Sequence, residues 1–376
     1  MCCAEQANRQ FLTLTDSKAL YGCASLLMIL HHCFCIPSRL HYDYIPVLGG
    51  YDVEARIAWL GKLCVALYAF ISGYAFSMAA RRNREECIWR RFLADCLTSV
   101  RKLFKFYSIF WLVFAIFIPI GIAFFDKSAH YKDIIAGLLE GGGGYNGEWW
   151  YIAEYQKFLM LYPALECVTR LLESKRSRRC TCLILLGCLT AIAAIRVFAW
   201  NSPAERFLRP HVNELDSNYV TIFVSAFLIG RFGLFERLDR MLRMSPFIFG
   251  TVIIACILFR WCYVKEPAQS DCDVILTPIL VFASVRLIHA AADGSKTLGA
   301  LRYVGRHSTS IWLTHTFWIY YYFQPLVLLP RYSVLIFLWA TAISLCSGIA
   351  IDCLYQKISA GVNGLVRRIR STDKAA

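Results

Sequence analysis

The stretch from Asp16 to Cys35 decides the fold class of this chain, and it reads DSKALYGCASLLMILHHCFC. Asp16 and Ser17 are residue types that cap the amino-terminal end of a helix. From Ala19 onward the predicted helix is apolar on every face, which is typical of a helix in lipid or inside a helical bundle. We therefore interpret this stretch as the first of several membrane-spanning helices.

Two adjacent histidines, His31 and His32, lie near the end of this apolar stretch. At 1.5 Å per residue, His32 lies roughly 16 Å along the helix axis from Tyr21, at or just past the bilayer midplane. An ionisable side chain at that depth costs a few kcal/mol unless it has a polar partner, so we predict a functional role. The alternative is an imidazole that only hydrogen-bonds a neighbouring helix. Since adjacent helical residues point about 100° apart, we do not expect both rings to face one cavity.

The composition excludes a pair of soluble domains. Hydrophobic residues make up 58% of the 376 residues, and the mean hydropathy is +0.49. With its charges confined to short loops, the chain is predicted to be a single all-α, polytopic transmembrane helical bundle embedded in a lipid bilayer. This integral-membrane domain spans residues 1–376, with short cytoplasmic tails at about 1–18 and 356–376.

We predict about ten membrane spans, at residues 19–36, 58–80, 104–125, 148–169, 180–200, 218–235, 246–264, 273–291, 307–329 and 332–355. The loops after the even-numbered spans and the C-terminal tail are rich in lysine and arginine. The other loops are poorer in basic residues or balanced by acids. Because basic residues accumulate on the cytoplasmic side of a membrane, this alternation predicts that both termini are cytoplasmic.

The same rule explains the net charge of +14, so we do not expect nucleic acid as a partner. Many of the seventeen cysteines lie within predicted spans, where cysteine acts as a small hydrophobic residue. Cys180 and Cys182 have the spacing of half a metal site, but no partnering Cys/His cluster follows them. We therefore expect no bound metal.

His32 is the candidate catalytic base, because a neutral imidazole accepts a proton from a hydroxyl group as that oxygen attacks a thioester. Lys102 and Lys105, with Arg101, lie within about one turn of each other at the predicted cytoplasmic end of the third span. Such a cluster on one helix face binds phosphates through charge-assisted hydrogen bonds. Alternatively, these residues bind no ligand and only contribute to the positive charge on the cytoplasmic side of the membrane.

A segment dense in aromatic and acidic residues leads into the fourth span. One interpretation is that the tryptophan and tyrosine residues of this segment anchor the helix at the membrane surface. The other interpretation is a sugar site, in which aromatic rings stack on sugar rings and the neighbouring carboxylates accept hydrogen bonds from sugar hydroxyls. The candidates for acceptor binding or positioning are therefore Asn146, Glu148, Trp149, Trp150, Tyr151 and Glu154, together with His31 and a further intramembrane histidine, His315.

Five stretches, in this order, resemble the acyltransferase type 3 family: GCASLLMILHHCF at 22–34, GKLCVALYAFISGY at 61–74, RKLFKFY at 101–107, NGEWWYIAEY at 146–155 and STSIWLTH at 308–315. Members of this family are integral-membrane enzymes that O-acetylate surface polysaccharides, and the branch acting on bacterial capsule and exopolysaccharide is the most similar. The resemblance implies location in a bacterial cell membrane. It also implies acetyl-CoA as a co-substrate from the cytoplasm, and a polysaccharide or lipid-linked glycan as acceptor outside.

The family hallmark is an arginine followed, after ten residues, by a histidine in the first span. His32 matches the histidine, whereas Tyr21 stands at the arginine position. We hypothesise that Lys18, one turn earlier, supplies the missing positive charge. Lys102 and Lys105 match a basic pair that is usually arginine in the family. The resemblance thus implies acyl-CoA binding by Lys18, Tyr21, Arg101, Lys102 and Lys105.

Other functions remain alternatives at this point. A transporter or permease for a small polar solute would also have many spans, intramembrane histidines and interrupted helices. An enzyme that acylates a lipid or a protein would share the same donor chemistry. The sequence also leaves open whether the sugar hydroxyl attacks acetyl-CoA directly or His32 first forms an acetyl-imidazole.

Overall fold

The computed structural model describes residues 10–41, 43–82, 85, 87–140, 144–198, 218–242, 244–264, 272–292 and 294–372. We number its α-helices in chain order: Leu14–Phe34 (α1), Tyr51–Leu60 (α2), Leu63–Arg82 (α3), Ile88–Phe124 (α4), Tyr131–Glu140 (α5), Tyr151–Lys175 (α6), Arg178–Phe198 (α7), Asn218–Phe232 (α8), Leu234–Met241 (α9), Pro246–Tyr263 (α10), Asp273–Ala290 (α11), Lys296–Arg306 (α12), Ser308–Thr316 (α13), Gln324–Leu328 (α14) and Ser333–Thr372 (α15). Short 3₁₀ turns at Pro37–Arg39 and Gly147–Trp150 and a π-helical turn at Phe317–Tyr321 complete the secondary structure.

The predicted all-α class is confirmed across these ranges, which contain no β-strand. Each predicted span coincides with at least one helix, although the ninth is broken into α13, the π-helical turn and α14. Five segments of the described chain are long and apolar enough to cross a membrane, and the bent pair α8–α9 would make a sixth. The count of ten spans and the cytoplasmic termini stay predictions. Parts of the predicted tails (1–9 and 373–376) and the end of the fifth span (199–200) lie outside the described residues.

Helix α1 begins with a capping box that lies slightly upstream of the predicted cap. Thr13, rather than Asp16 or Ser17, is the N-cap residue, and its hydroxyl accepts a hydrogen bond from the Asp16 backbone. The Asp16 carboxylate in turn accepts from the Thr13 backbone N–H at 2.9 Å and pairs with His289 at 3.1 Å. Burial favours a raised pKa for Asp16, but these hydrogen bonds outweigh it and hold the pKa below its ordinary value.

A buried ion-pair cluster joins α4, α6 and α8. Glu166 is 1% exposed, and its two carboxylate oxygens pair with Arg91 at 2.8 Å and Arg231 at 3.0 Å. Arg231 also pairs with Glu173 at 2.7 Å. Because an uncompensated charge at this depth is costly, the three helices are tied together by charge as well as by packing.

Small residues allow α1 to approach α12 at backbone distance. A Cβ atom at Gly22 would collide with the Leu301 carbonyl, and one at Gly305 would collide with the Lys18 carbonyl. On the neighbouring helix pair, Gly73 of α3 lies against the Phe223 carbonyl of α8 in the same way. Such close approach is the typical packing of membrane helices, whose association relies on van der Waals contact.

We expect Gly305→Ala to destabilise the protein by about 1–3 kcal/mol, because the added methyl group forces α1 and α12 apart. Gly299→Ala, on the same helix, is the matched control because a Cβ there meets nothing within 4 Å. That control should be neutral or stabilising by up to about 1 kcal/mol, from improved helix propensity. The measurement is the melting temperature of each purified variant in detergent, and equal values for the two variants would contradict the packing described here.

Candidate active site

A cavity of about 660 Å³ lies between α1, α3, α4, α6 and α13. It follows α3, whose lining residues run from Cys64 to Phe76. At 1.5 Å per residue these two positions are roughly 18 Å apart along the helix axis. The cavity is therefore an elongated chamber inside the helical bundle, with chemically different ends.

The end of the cavity at Phe76 is basic. Lys102 and Lys105 both line it, and the Lys102 ammonium lies over the Phe76 ring, 4.4 Å from its centroid. In the described part of the chain, neither lysine has a carboxylate within ion-pair distance. Two ammonium groups without an opposing charge favour the binding of an anion such as a phosphate.

Tyrosine hydroxyls line the middle of the cavity. Tyr21 stacks on Tyr68 with ring centroids 5.5 Å apart, and the Tyr68 hydroxyl lies 2.9 Å from Ser25 Oγ. Tyr151 also lines the cavity, and its buried hydroxyl has no hydrogen-bond partner among the described residues. The position at which the family has arginine is thus surrounded by neutral hydrogen-bonding groups, one of which is free to bind a ligand.

The opposite end of the cavity carries both histidines of α1. His31 and His32 line it together, so the expectation that only one ring would face the cavity was wrong. The reason is that the cavity wraps around the end of α1 towards Trp59, whose ring is 5.9 Å from that of His31. The Nδ1 atom of His31 lies 3.0 Å from the Ala58 carbonyl, which occupies one of its two ring nitrogens.

An ion pair lies beside the histidine end. Arg39 and Glu148 both line the cavity and are joined at 2.6 Å. The other Glu148 oxygen accepts a hydrogen bond from Tyr321 at 2.6 Å, and the Arg39 guanidinium stacks over the Tyr320 ring at 4.1 Å. Because both of its oxygens are engaged, Glu148 holds Arg39 in place as part of the cavity wall.

Several predicted site residues do not line the cavity. Asn146 donates to Thr316 Oγ1 at 2.8 Å, and Trp149 donates to the Leu313 carbonyl at 3.1 Å, so both support α13 from behind. Glu154 pairs with Lys157 at 2.9 Å. Lys18 and the exposed Arg101 are also absent from the lining.

His315, another of the predicted residues, lies behind His32 rather than in the cavity wall, with the two ring centroids 4.9 Å apart. Trp150, in contrast, does line the cavity and is 46% exposed. The structure thus brings Tyr21, His31, His32, Lys102, Lys105, Glu148, Trp150 and Tyr151 to one chamber.

Most other residues of the cavity wall were not predicted from the sequence, and the polar ones among them include Arg39, Lys62 and Tyr68. A signal for Lys62 was present, because it is a charged residue within the predicted span 58–80, where a charge is costly. Arg39 follows Pro37 in a loop, and Tyr68 is one of many aromatic residues in its helix. No local pattern distinguishes these two residues from their neighbours.

A family model described as an acyltransferase domain matches residues 19–353. No curated protein and no solved structure matches the chain. The matched region contains every residue of the chamber described above and covers nearly the whole chain. The chain therefore belongs to the acyltransferase type 3 family and is a membrane acyltransferase.

Proposed function

We propose that this protein transfers an acetyl group from cytoplasmic acetyl-CoA to a hydroxyl group of a surface polysaccharide or of its lipid-linked precursor. The observation that carries the proposal is one chamber that connects a histidine inside the bundle with two lysines, neither of which has an ion-pair partner among the described residues. A phosphate site and a proton acceptor at opposite ends of one cavity match the two ends of an acyl-CoA molecule.

The donor lies along the chamber in this proposal. The phosphates of CoA bind Lys102 and Lys105 by charge-assisted hydrogen bonds, and the pantetheine arm extends beside α3. The arm is about half the thickness of the hydrocarbon core, or roughly 15 Å, so it reaches the histidine end while the nucleotide stays at the lysine end. The free Tyr151 hydroxyl donates a hydrogen bond to the carbonyl groups of the arm or of the thioester.

The chemical step takes place at His32. One ring nitrogen of His32 accepts the proton of a sugar hydroxyl while that oxygen attacks the thioester carbonyl carbon. A carbon–oxygen bond forms, the carbon–sulfur bond breaks, and the proton passes from His32 to the departing CoA sulfur. Holding both substrates in one chamber supplies a further large part of the rate enhancement, because the reaction no longer depends on random encounter.

We expect His32→Ala to lower acetyl transfer by about 10²–10⁴-fold, the usual contribution of a general base. The measurement is the transfer of label from acetyl-CoA to the glycan fraction of membranes from the producing cells, together with the O-acetyl NMR signals of the surface glycan. His130→Ala, an exposed histidine outside the cavity, is the matched control. Full activity of the His32 variant at normal protein level would refute the proposed base.

The lysine pair has its own test. Replacing both Lys102 and Lys105 with Met should raise the KM for acetyl-CoA by about 100-fold or more, because charge-assisted hydrogen bonds each contribute about 1.5–3 kcal/mol. The kcat should change little, since the reacting atoms lie at the other end of the cavity. Arg90→Met, at an exposed position on the same helix, is the control. An unchanged KM would contradict CoA binding by these lysines and would indicate that they only help to orient the protein in the membrane.

The free hydroxyl of Tyr151 is tested by Tyr151→Phe, which removes one oxygen and keeps the ring. Loss of one neutral hydrogen bond to the donor should lower kcat/KM for acetyl-CoA by about tenfold. Tyr332→Phe, at a position 49% exposed, is the control. If kcat/KM is the same in both variants, the hydroxyl does not contact the donor.

A further inference from the structure

His315 lies in the second layer of the site and has a defined hydrogen-bonding state. Its side chain is 0% exposed, and its Nδ1 atom lies 2.8 Å from the Trp312 carbonyl and 3.1 Å from the Ile311 carbonyl. Carbonyl oxygens only accept hydrogen bonds, so Nδ1 must carry the ring hydrogen. In a neutral imidazole, the other ring nitrogen, Nε2, then carries a lone pair and can only accept.

The Nε2 atom of His315 is the unusual feature. It is buried, and it has no hydrogen-bond partner among the described residues. Leaving a buried acceptor unsatisfied costs stability, so such an atom in a native structure calls for an explanation. The ring next to it is that of His32, at a centroid separation of 4.9 Å and an interplanar angle of 55°.

We propose that His315 is a positioning residue for His32: its Nε2 accepts the N–H of one His32 ring nitrogen when substrates are bound. The two rings do not hydrogen-bond in the present structure, since Nε2 is unpartnered. A rotation of the His32 ring closes the remaining gap, as catalytic hydrogen bonds often tighten only when the substrates are in place.

This contact determines which nitrogen of His32 acts as the base. With its N–H directed at His315, the other nitrogen of His32 carries the lone pair and faces the cavity. When that nitrogen takes the proton of the sugar hydroxyl, His32 becomes an imidazolium ion, and the His315 acceptor stabilises the N–H on its far side. His315 itself gains and loses no proton, because its Nδ1–H stays bound to the backbone carbonyls of α13.

The inference rests on the proposed function, so the experiment includes both histidines. His315→Met and His315→Gln are compared because they are of similar size, whereas only glutamine retains an acceptor oxygen. The initial rate of acetyl transfer is measured against acetyl-CoA concentration in membranes that contain the endogenous acceptor. His32→Ala and the exposed-site variant His130→Met are assayed in parallel, and the melting temperature of each purified protein is recorded.

We expect His315→Met to lower kcat by about 100-fold with an unchanged KM for acetyl-CoA, the size of effect that misplacement of a reacting group produces. His315→Gln should recover most of that loss. An equal loss in both variants would overturn the acceptor role, because it would show that only the shape of histidine matters. Wild-type activity of His315→Met beside an inactive His32→Ala would overturn this inference and leave the proposed function standing. An active His32→Ala would instead overturn the proposed function.

A second measurement covers the case in which His315→Met does not fold. In ¹⁵N-histidine-labelled wild-type protein, the signals absent from the spectrum of His315→Gln belong to His315. We expect these signals to show a protonated Nδ1 and an unprotonated Nε2. The opposite tautomer, with hydrogen on Nε2, would overturn the inference, since that nitrogen could not accept from His32.

Discussion

The backbone contact of α1 with α12 is the constraint on which the site depends. Glycines at positions 22 and 305 let the two helices meet without intervening side chains, and this fixes one side of α1. Another side of α1 contacts α3, where Ser25 Oγ lies 2.9 Å from the Tyr68 hydroxyl. Because α1 carries Tyr21, His31 and His32, the width of the chamber between these helices follows from how closely α1 is held on its other side.

Charge is distributed unequally between the scaffold and the chamber. In the scaffold, buried charges neutralise one another, as in Glu166 with Arg91 and Arg231, or Arg260 with Asp273 at 2.8 Å. In the chamber, Arg39 is paired with Glu148, but Lys62 and Lys102 instead lie over the rings of Trp59 and Phe76. An aromatic face holds an ammonium group only weakly, so these cations remain able to bind a more strongly attracting anion. The difference separates the groups that stabilise the fold from the groups that are free to bind a ligand.

The polar groups of the site form two layers. Tyr151 and Arg39 face the cavity, whereas His315, Asn146 and Trp149 lie behind its wall and are tied to α13 or to the turn that follows it. The break of the ninth predicted span into α13 and a π-helical turn lies at this point. An interrupted helix frees backbone and side-chain groups for hydrogen bonds that a continuous helix would use internally, which suits a polar site inside a bundle.

The pattern of apolar residues by itself determined the all-α class and the positions of most helices, because the cost of exposing backbone polar groups to lipid leaves few other solutions. Because an ionisable group is costly in lipid, the sequence alone also identified His32 and His315 as candidate functional residues. Only the tertiary structure decided which of these groups share a chamber. Arg39 meets Glu148 across more than one hundred residues, and His31 reaches the cavity although it points away from His32. Such contacts depend on how helices distant in the chain pack against one another, and no local periodicity carries that information.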